Sequence, residues 1–357
     1  MESISIIGGG IAGLALAACL DPDRFEVTVT EKRPELPVVG TVLAMWPNAQ
    51  RALETVGILD DVRRCSPAIS SGALRDAAGT PWVSFDDENV VGVSRIDLLR
   101  LLDAAVPDSV RRITKRVDTV PSGAELPSGP ELVVGADGVH SAVRRSVWGP
   151  HTGARLTPYL AVRGVVPVPV NPDHVGEYWG RGDLFGIGPI ATGTLWFAGY
   201  RSGLGPTGID VASTLEEVRL RFAGHGPAIR QVLAGATPEL SLAQRIWRTP
   251  LLRSYVRGNA VLIGDAAHAM TPNLGRGACE SLVDAVTLAG LLNTRPRAEA
   301  LRTYDRSRRL RTQGMSLASS AVGRVALAEA AQPLRDRLLA VAGRRKARAA
   351  VVSGSSR

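Results

Sequence analysis

The sequence has few cysteines, few aromatic residues and no long apolar run. Cys19, Cys65 and Cys279 are odd in number and far apart in the 357 residues, so their spacing predicts neither a disulfide framework nor a metal site. No apolar run approaches the roughly 20 residues that a membrane-spanning helix needs. The N-terminal apolar residues belong to a first strand and lack the layout of a signal peptide. We therefore expect a cytoplasmic protein.

Charge and aromatic content bear on the partners. Aromatic residues make up 4% of the chain, and Lys plus Arg (42) exceed Asp plus Glu (34), which gives a net charge of +8. A basic surface attracts nucleic acid, anionic membranes and phosphorylated ligands alike. Without a helix-turn-helix or zinc-finger pattern, and with few aromatic side chains for base stacking, we expect no nucleic-acid partner. The basic run at residues 344–348 is interpreted as a solvated tail, without membrane contact.

The N-terminal segment, residues 4–31, predicts a strand, a glycine loop, a helix and a second strand. Residues 4–7 are apolar and rich in β-branched side chains, as in a strand buried on both faces. Gly8, Gly10 and Gly13 follow at the G-x-G-x-x-G spacing: the first permits a tight turn, the second lets backbone approach a pyrophosphate, and the third lets the helix lie close to the strand. The second strand ends in Glu31, where such folds hold a ribose hydroxyl. The segment predicts a dinucleotide site and leaves NAD and FAD both open.

Two further apolar strands run into glycine turns. Residues 132–135 lead into Asp137-Gly138 and a helix, and residues 260–263 lead into Gly264-Asp265. An unpaired buried charge is costly, so we expect Asp265, next to a buried strand, to have a partner other than solvent, with a helix cap as the alternative. A Gly-rich loop at residues 272–278 then begins another helix, whose backbone amides would form an anion site.

Residues 153–250 have a different character. Alternating strands such as 161–166 and 194–200 are separated by Gly and Pro turns, with one helical insert around residues 213–222, and residues 69–90 resemble a hairpin. Alternation places Trp196 and Tyr200 on one strand face and Phe197 on the other. One face should line a substrate pocket, and the pattern leaves open which one. The candidate substrate contacts are Arg163, Trp196 and Tyr200.

Together, the three junctions resemble the class A flavoprotein monooxygenases, the family of para-hydroxybenzoate hydroxylase. The matching motifs are Gly8-x-Gly10-x-x-Gly13 with Glu31, Gly135-Ala136-Asp137-Gly138, and Gly264-Asp265-Ala266-Ala267-His268. The run from Glu177 to Gly182, continued through Trp196-Phe197, is similar to the urate hydroxylase and zeaxanthin epoxidase branch. The resemblance implies FAD as cofactor, NADH or NADPH as co-substrate, and O2. It implies oxygen transfer through a flavin C4a-hydroperoxide, which hydroxylates or epoxidises a small aromatic or polyketide-like substrate.

The resemblance also implies the fold class and the domains. We expect an α/β protein with a Rossmann-type, glutathione reductase-like FAD-binding domain formed by residues 1–68, 93–152 and 251–295. Residues 69–92 and 153–250 would form an interleaved, mostly antiparallel β-sheet substrate domain. Residues 296–357 would form C-terminal helices and the basic tail.

The cofactor-binding residues implied by the resemblance come from all three junctions and from the start of a helix near residue 95. They are Gly8, Gly10, Ile11, Ala12, Gly13, Glu31, Lys32, Arg95, Asp137, Gly264, Asp265, Pro272, Gly275, Arg276, Gly277 and Ala278. No catalytic side chain is assigned, because the flavin carries the reaction. His268 is interpreted as a packing and hydrogen-bonding residue. Arg276 departs from the uncharged residue common in the family, and its role stays open.

Two other functions fit the same motifs. One is a flavin-dependent dehydrogenase or alkene reductase on the same fold, and the other is a non-catalytic flavin-binding accessory protein. A flavin halogenase is disfavoured because the sequence lacks a Trp-x-Trp-x-Ile-Pro motif. The substrate, the choice between NADH and NADPH, and the choice between monomer and homodimer remain open.

Overall fold

The computed structural model describes residues 1–33, 42–66, 71–85, 90–120, 131–191 and 193–354, with the backbone alone for residues 85 and 344–354. The chain divides into two compact units. Unit 1 comprises Met1–Cys65, Val93–Leu156 and Trp247–Ser320, and unit 2 comprises Ser66–Gly92, Thr157–Ile246 and the residues from Ala321 onward. The side chains of the predicted basic tail lie outside the described residues, as do parts of the predicted hairpin.

Over the described residues the strands are β1 (Glu2–Ile7), β2 (Phe25–Glu31), β3 (Val42–Met45), β4 (Gly72–Asp76), β5 (Pro81–Phe85), β6 (Val91–Ser94), β7 (Arg111–Thr114), β8 (Leu132–Gly135), β9 (Arg155–Val166), β10 (Gly176–Trp179), β11 (Asp183–Ile190), β12 (Gly193–Arg201), β13 (Ser241–Arg248), β14 (Val256–Arg257) and β15 (Ala260–Leu262). The α-helices are α1 (Ile11–Cys19), α2 (Pro47–Val56), α3 (Leu59–Arg64), α4 (Arg95–Ala105), α5 (Ala142–Trp148), α6 (Val211–Arg221), α7 (Pro227–Gly235), α8 (Asp265–His268), α9 (Gly277–Thr294), α10 (Arg297–Ala326) and α11 (Gln332–Gly354).

Unit 1 contains the predicted Rossmann-like sheet. Its strand order over the described residues is β14-β15-β8-β1-β2-β7. The pairs β1–β2, β1–β8, β15–β8 and β2–β7 are parallel, and β14–β15 is antiparallel. In β8 every residue is buried, which is why its sequence is continuously apolar. Because β15, β8 and β1 are parallel neighbours, the loops that follow them emerge at the same edge of the sheet.

Local sequence signals set several helix ends in unit 1. Pro47 occupies the first turn of α2, and Gly57 ends it in the left-handed region at φ +85°, as the sequence predicts. The Ser94 hydroxyl caps α4 by accepting hydrogen bonds from the amides of Ile96 and Asp97, both at 3.2 Å. These caps fix where each helix leaves the sheet.

Unit 2 is built on a second sheet with the order β13-β9-β12-β11-β10-β4-β5 over the described residues. The pairs β9–β12, β11–β12, β10–β11 and β4–β5 are antiparallel, and β4–β10 is parallel. Two helices follow β12, α6 and α7, where the sequence predicted one insert. Leu215 of α6, Ile229 of α7 and Phe222, which directly follows α6, pack on one face of the sheet, which we call the covered face. The opposite one is the open face.

None of the described helices combines the length and the apolar character required to cross a bilayer.

Candidate cofactor site and substrate sheet

The three predicted junctions come together at one edge of the unit 1 sheet. A Cβ added to Gly8 would clash with the backbone oxygen of Ala136, and one added to Gly264 would lie 3.0 Å from the Ala12 Cβ. The loop after β1 therefore touches the loop after β8, and the turn after β15 touches the first turn of α1. In parallel sheets this carboxyl edge is where ligands bind.

The glycine loop has the form that a pyrophosphate site requires. Gly8 has φ +113°, and its amide donates to the Thr30 carbonyl at 2.8 Å. A side chain on Gly13 would clash with the Gly8 carbonyl, so only glycine lets α1 lie this close to the turn. A Cβ on Gly10 would meet no atom within 4 Å. The backbone at Gly10 is thus approachable from outside, as the sequence analysis expected for the second glycine.

Glu31 lies beside this loop at the end of β2. Its Oε2 accepts a hydrogen bond from the Gly9 amide at 2.8 Å, and its Oε1 accepts one from the Arg33 amide at 3.0 Å. A carboxylate has about four acceptor positions, so Glu31 keeps capacity for a ribose hydroxyl. Lys32, the next residue, is exposed.

Asp137 has a partly satisfied carboxylate. Its Oδ2 accepts from the amides of Ala142 and Val143 at 2.6 and 3.2 Å, which caps α5. Its Oδ1 is buried and has no hydrogen-bond partner among the described residues. A buried polar atom without a partner is costly, so Oδ1 is suited to accept a hydrogen bond from a ligand.

Arg144 links two of the junctions, a role that sequence reasoning missed. The side chain is fully buried. It donates from Nη1 to the Ala266 carbonyl at 2.6 Å, from Nη2 to the Val139 carbonyl at 2.5 Å and from Nε to the Thr152 carbonyl at 2.7 Å. Burial lowers the pKa of Arg144 to about 10, which still leaves it charged at neutral pH. This guanidinium ties the loop after β8 to the loop after β15.

Asp265 differs from the sequence expectation in its surroundings. Its side chain is exposed and has no hydrogen bond to another described residue, so a ligand as its partner stays a prediction. Nor is it the N-cap of α8, because that position is Gly264, at φ +58°. The neighbours Ile263 and Ala266 are completely buried. Asp265 is therefore the single outward-facing residue of an otherwise buried stretch, at the edge where the three loops meet.

A buried network holds the Gly264-Asp265 turn from behind. The Asp284 carboxylate accepts from the Gly264 amide at 2.9 Å and lies 2.5 Å from Nε2 of His268. Arg308 donates to Asp284 at 2.7 Å and to Glu280 at 2.5 Å. Burial alone would lower the pKa of His268, but the Asp284 carboxylate outweighs it and raises that pKa. His268 is thus a buried hydrogen-bonding residue, in agreement with the sequence interpretation.

The network reaches the surface of unit 1 through Asn48. The Asn48 amide donates to Glu280 at 3.2 Å, and its carbonyl accepts from Arg276 at 3.0 Å. The Arg276 guanidinium lies 4.3 Å from the centroid of the Trp46 ring, within cation–π range. Two side chains therefore hold Arg276: Asn48, which lies in α2, and Trp46, which is the N-cap of that helix. The spacing of Glu280 and Asp284, four residues apart in an apolar helix, was the one sequence signal of this network.

The loop before α9 presents backbone amides. Gly275 has φ +60°, and α9 begins at Gly277 without a side-chain cap. The first amides of this helix are therefore available to an anion. Pro272 and Gly275 are exposed, and Arg276, Gly277 and Ala278 are partly exposed. Arg95 is exposed at the start of α4 and has no ion pair within the described part of the chain.

These features fit FAD. An open approach at Gly10, an unpaired acceptor at Asp137, an outward carboxylate at Asp265 and the uncapped start of α9 are features of the kind that the phosphates and hydroxyls of a flavin dinucleotide require. Which residues contact it remains a proposal.

In unit 2 the predicted substrate contacts fall on opposite faces of the sheet. Trp196 and Tyr200 are completely buried on the covered face, in the cluster formed with α6 and α7. Their prediction as substrate contacts is wrong, because these helices occupy the space above both rings. Phe197 pairs with Arg163 across β12 and β9, and both side chains lie on the open face, partly exposed.

The chain is similar to known protein families and to several characterised enzymes. A family described as an FAD binding domain matches residues 105–319, and one described as an NAD(P)-binding Rossmann-like domain matches residues 6–38. The chain is 33% identical to aurachin C monooxygenase/isomerase from Stigmatella aurantiaca, over 82% of this chain and 80% of that protein. It is 32% identical to 3-amino-4-hydroxybenzoate 2-monooxygenase from Streptomyces cremeus, over 87% and 84%.

The structure is similar to that of Klebsiella pneumoniae HpxO complexed with FAD and uric acid. The TM-score is 0.83 at 25% identity, covering 95% of this chain and 92% of the other. A salicylate hydroxylase substrate complex, at 22% identity and a TM-score of 0.79, shares the fold over 95% and 93% of the two chains.

Proposed function

We propose that this chain, which belongs to the class A FAD-dependent monooxygenases, consumes NADH or NADPH and O2 to insert one oxygen atom into a small aromatic or polyketide-like substrate. The monooxygenase class follows from the family. The nicotinamide dependence and the substrate class are the proposed part. The substrate class is supported by relatives whose names specify aromatic substrates, among them 3-amino-4-hydroxybenzoate and 6-hydroxynicotinate.

One structural observation carries the proposal: the three strand-end loops meet at one edge with their polar groups incompletely satisfied. The buried Oδ1 of Asp137 lacks a partner among the described residues, and Gly10 is open on its outer side. A loop that was only a structural turn would have no reason to leave a buried acceptor unpaired.

FAD, when bound, supplies the redox chemistry, accepting a hydride and activating oxygen. The amides of the glycine loop and the start of α1 would bind its pyrophosphate, and Glu31 would accept a hydrogen bond from its ribose. Asp265 would hold a hydroxyl of the ribityl chain. The Gly275 amide already donates to the Pro272 carbonyl at 2.8 Å, so it is the amides of residues 276–278 that would stabilise negative charge on the cofactor, as an oxyanion hole does.

The first test is the cofactor itself. The purified protein should be yellow, with FAD released on denaturation, and should oxidise NAD(P)H faster when a substrate is added. Labelled O2 should place one oxygen atom in the product. A protein that stays colourless after reconstitution with FAD, or that turns over without incorporating oxygen, would contradict the proposal.

The site assignment has its own test. Asp265→Ala should lower the bound FAD per protein and raise the Kd for FAD. Asp60→Ala is the matched control, because the Asp60 side chain is 92% exposed on α3 of the same unit and should leave both values unchanged. Full FAD occupancy in Asp265→Ala would remove Asp265 from the site.

A further inference from the structure

A cavity of about 600 Å³ lies in unit 1 between two segments that contain none of the residues implied for cofactor binding. One wall comes from residues 148–155, at the end of α5 and just after it, and the other comes from residues 250–257, which lead into β14. Over the described residues, β14 is the edge strand of its sheet. The volume is in the range of small-molecule sites.

Hydrogen bonds join the two walls of this cavity. The Trp148 indole on one wall donates to the Ser254 carbonyl on the other at 2.9 Å. The buried Arg144 guanidinium donates to the Thr152 carbonyl at 2.7 Å and to the hydroxyl of Thr249, which precedes the second wall, at 3.4 Å. The walls are therefore held relative to each other, as in a preformed ligand site.

The apolar part of the lining includes both buried and exposed side chains. Trp148 and Leu252 are buried, and so is Pro250. Leu251, between Pro250 and Leu252, is 55% exposed. An exposed leucine beside buried apolar neighbours offers a surface on which an apolar ligand group loses its contact with water. This side of the cavity therefore favours an apolar group.

Three arginines line the same cavity without a role in the fold. Arg155, Arg253 and Arg257 are exposed, and none of their side chains has an ion pair or a hydrogen bond within the described part of the chain. The buried Arg144 differs, since it donates to three backbone carbonyls. Guanidinium groups bind phosphate and carboxylate oxygens through two parallel hydrogen bonds. The three exposed groups are available to an anion.

The segments that form the cavity contain no acidic residue to compensate these arginines. Residues 138–172 contain four arginines and neither Asp nor Glu, and residues 240–264 likewise contain four arginines and no acidic residue. The whole chain has 34 acidic residues, so both segments are depleted of them. No Asp or Glu is among the described residues that line the cavity. The resulting positive potential attracts an anion to it.

We propose that this cavity is a second ligand site of unit 1, and that it binds an organic phosphate. The phosphate would lie among Arg155, Arg253 and Arg257, and its apolar substituent would pack on Leu251. A phosphate monoester fits better than a carboxylate, because it offers three terminal oxygens and nearly two negative charges to three cations. Binding here is independent of the proposed function, since neither FAD nor the substrate of the oxygenation would occupy the cavity.

The test is a calorimetric titration of the full-length protein with inorganic phosphate, ethyl phosphate, hexyl phosphate and hexanol. Excess FAD is present throughout, to keep these probes out of the cofactor site. Affinity should rise from inorganic phosphate to hexyl phosphate, by up to about fourfold for each methylene that leaves water. Hexanol, which lacks the charge, should not bind measurably. Leu251→Ala should reduce the difference between ethyl and hexyl phosphate.

The double variant Arg253→Gln with Arg257→Gln tests the charged side of the cavity. It should weaken hexyl phosphate binding about tenfold or more, the worth of a hydrogen bond to a charged group. The matched control replaces Arg302 and Arg306, two exposed arginines of α10 in the same unit, by Gln. It removes the same charge and should leave the affinity unchanged. Should the double variant fail to fold, as judged by its melting midpoint, Arg155→Gln alone should still weaken binding severalfold.

Vesicles of phosphatidylcholine and phosphatidic acid identify the source of the phosphate. Sedimentation with these vesicles that the double variant loses would assign the site to a lipid head group. Binding of hexyl phosphate without sedimentation would assign it to a soluble ligand.

Four results would overturn the inference. They are the absence of saturable binding by every phosphate, equal affinity for inorganic and hexyl phosphate, an equal loss of affinity in the control pair of variants, and a hexyl phosphate affinity that falls as FAD is raised. These results are distinguishable from failure of the proposed function. A protein that stays colourless with FAD but binds hexyl phosphate refutes that function alone.

Discussion

Replacing Arg308 by Met should destabilise unit 1 strongly, because this guanidinium is the partner of two completely buried carboxylates. It donates to Asp284 at 2.7 Å and to Glu280 at 2.5 Å, and it is itself only 3% exposed. Removing one partner of a buried ion pair costs about 3–5 kcal/mol, since the remaining charge stays out of water. Met preserves much of the side-chain volume, so the loss reports on charge more than on a cavity.

The loss should depend on pH, with a sign that follows from the carboxyl groups. In the wild type, burial raises the pKa of Asp284, but the charges of His268 and Arg308 outweigh it and lower that pKa. The resulting stability is present above the unfolded-state pKa and is lost only as pH falls below it. In Arg308→Met the guanidinium no longer opposes the effect of burial, so the pKa of the Asp284 carboxyl group should rise above its value in the unfolded chain. The loss in free energy of unfolding is then greatest at high pH, and it becomes smaller as the pH falls and the buried carboxyl group takes up a proton.

The assay is urea unfolding followed by circular dichroism at pH 8 and pH 5, because urea does not screen charges. The difference between wild type and Arg308→Met should be about 3–5 kcal/mol at pH 8 and smaller at pH 5. Arg306→Met, an exposed position on the same helix, should change stability by no more than about 0.5 kcal/mol. A loss below about 1 kcal/mol, which is the range of a surface pair, or a loss equal at both pH values, would refute the reasoning.

Two further predictions concern small side chains. Gly10→Ala should fold normally but bind less FAD, since the added methyl points into open space. Gly13→Ala should lower the melting midpoint, because its methyl meets the Gly8 carbonyl. Equal melting midpoints for the two variants would contradict this. In native protein at pH 8 only Cys65, which is exposed, should react quickly with a thiol reagent, because burial raises the pKa of Cys19 to about 11 and also raises that of Cys279. Urea should release all three thiols, and fast reaction of a second native thiol would count against it.

The sequence was sufficient for the Rossmann-like sheet because its signals are local. An apolar strand, a glycine turn and a helix start each depend on a few consecutive residues, as at Gly8 and Gly264. The structure adds the reason that particular glycines are required, through the backbone atoms that a Cβ would meet. The same local logic explains why α2 begins at Pro47 and ends before Gly57, and why Ser94 caps α4.

The unit 2 sheet depends on packing that local sequence signals do not determine. Alternation separates Trp196 from Phe197 correctly, but it cannot say which face the helices cover. That depends on α6 and α7 packing on the sheet from outside it, and α7 was not predicted. Aromatic size offered no guide, because large rings serve cores more often than ligand sites. Arg163, the one predicted contact on the open face, could be placed there only through its register with Phe197.

The stability of unit 1 does not by itself explain why the buried network consists of charged side chains. An apolar group of three similar side chains in place of Arg308, Asp284 and Glu280 would often be as stable as the ion pairs or more so. Such a group could not accept the hydrogen bond of the Gly264 amide, which points inward because the residue sits at φ +58°. The turn that directs Asp265 outward therefore needs a buried acceptor, a buried carboxylate needs a buried cation, and Arg308 is that cation. In its proposed cofactor-binding role, Asp265 thus gives a reason for a charge cluster that folding by itself would not favour.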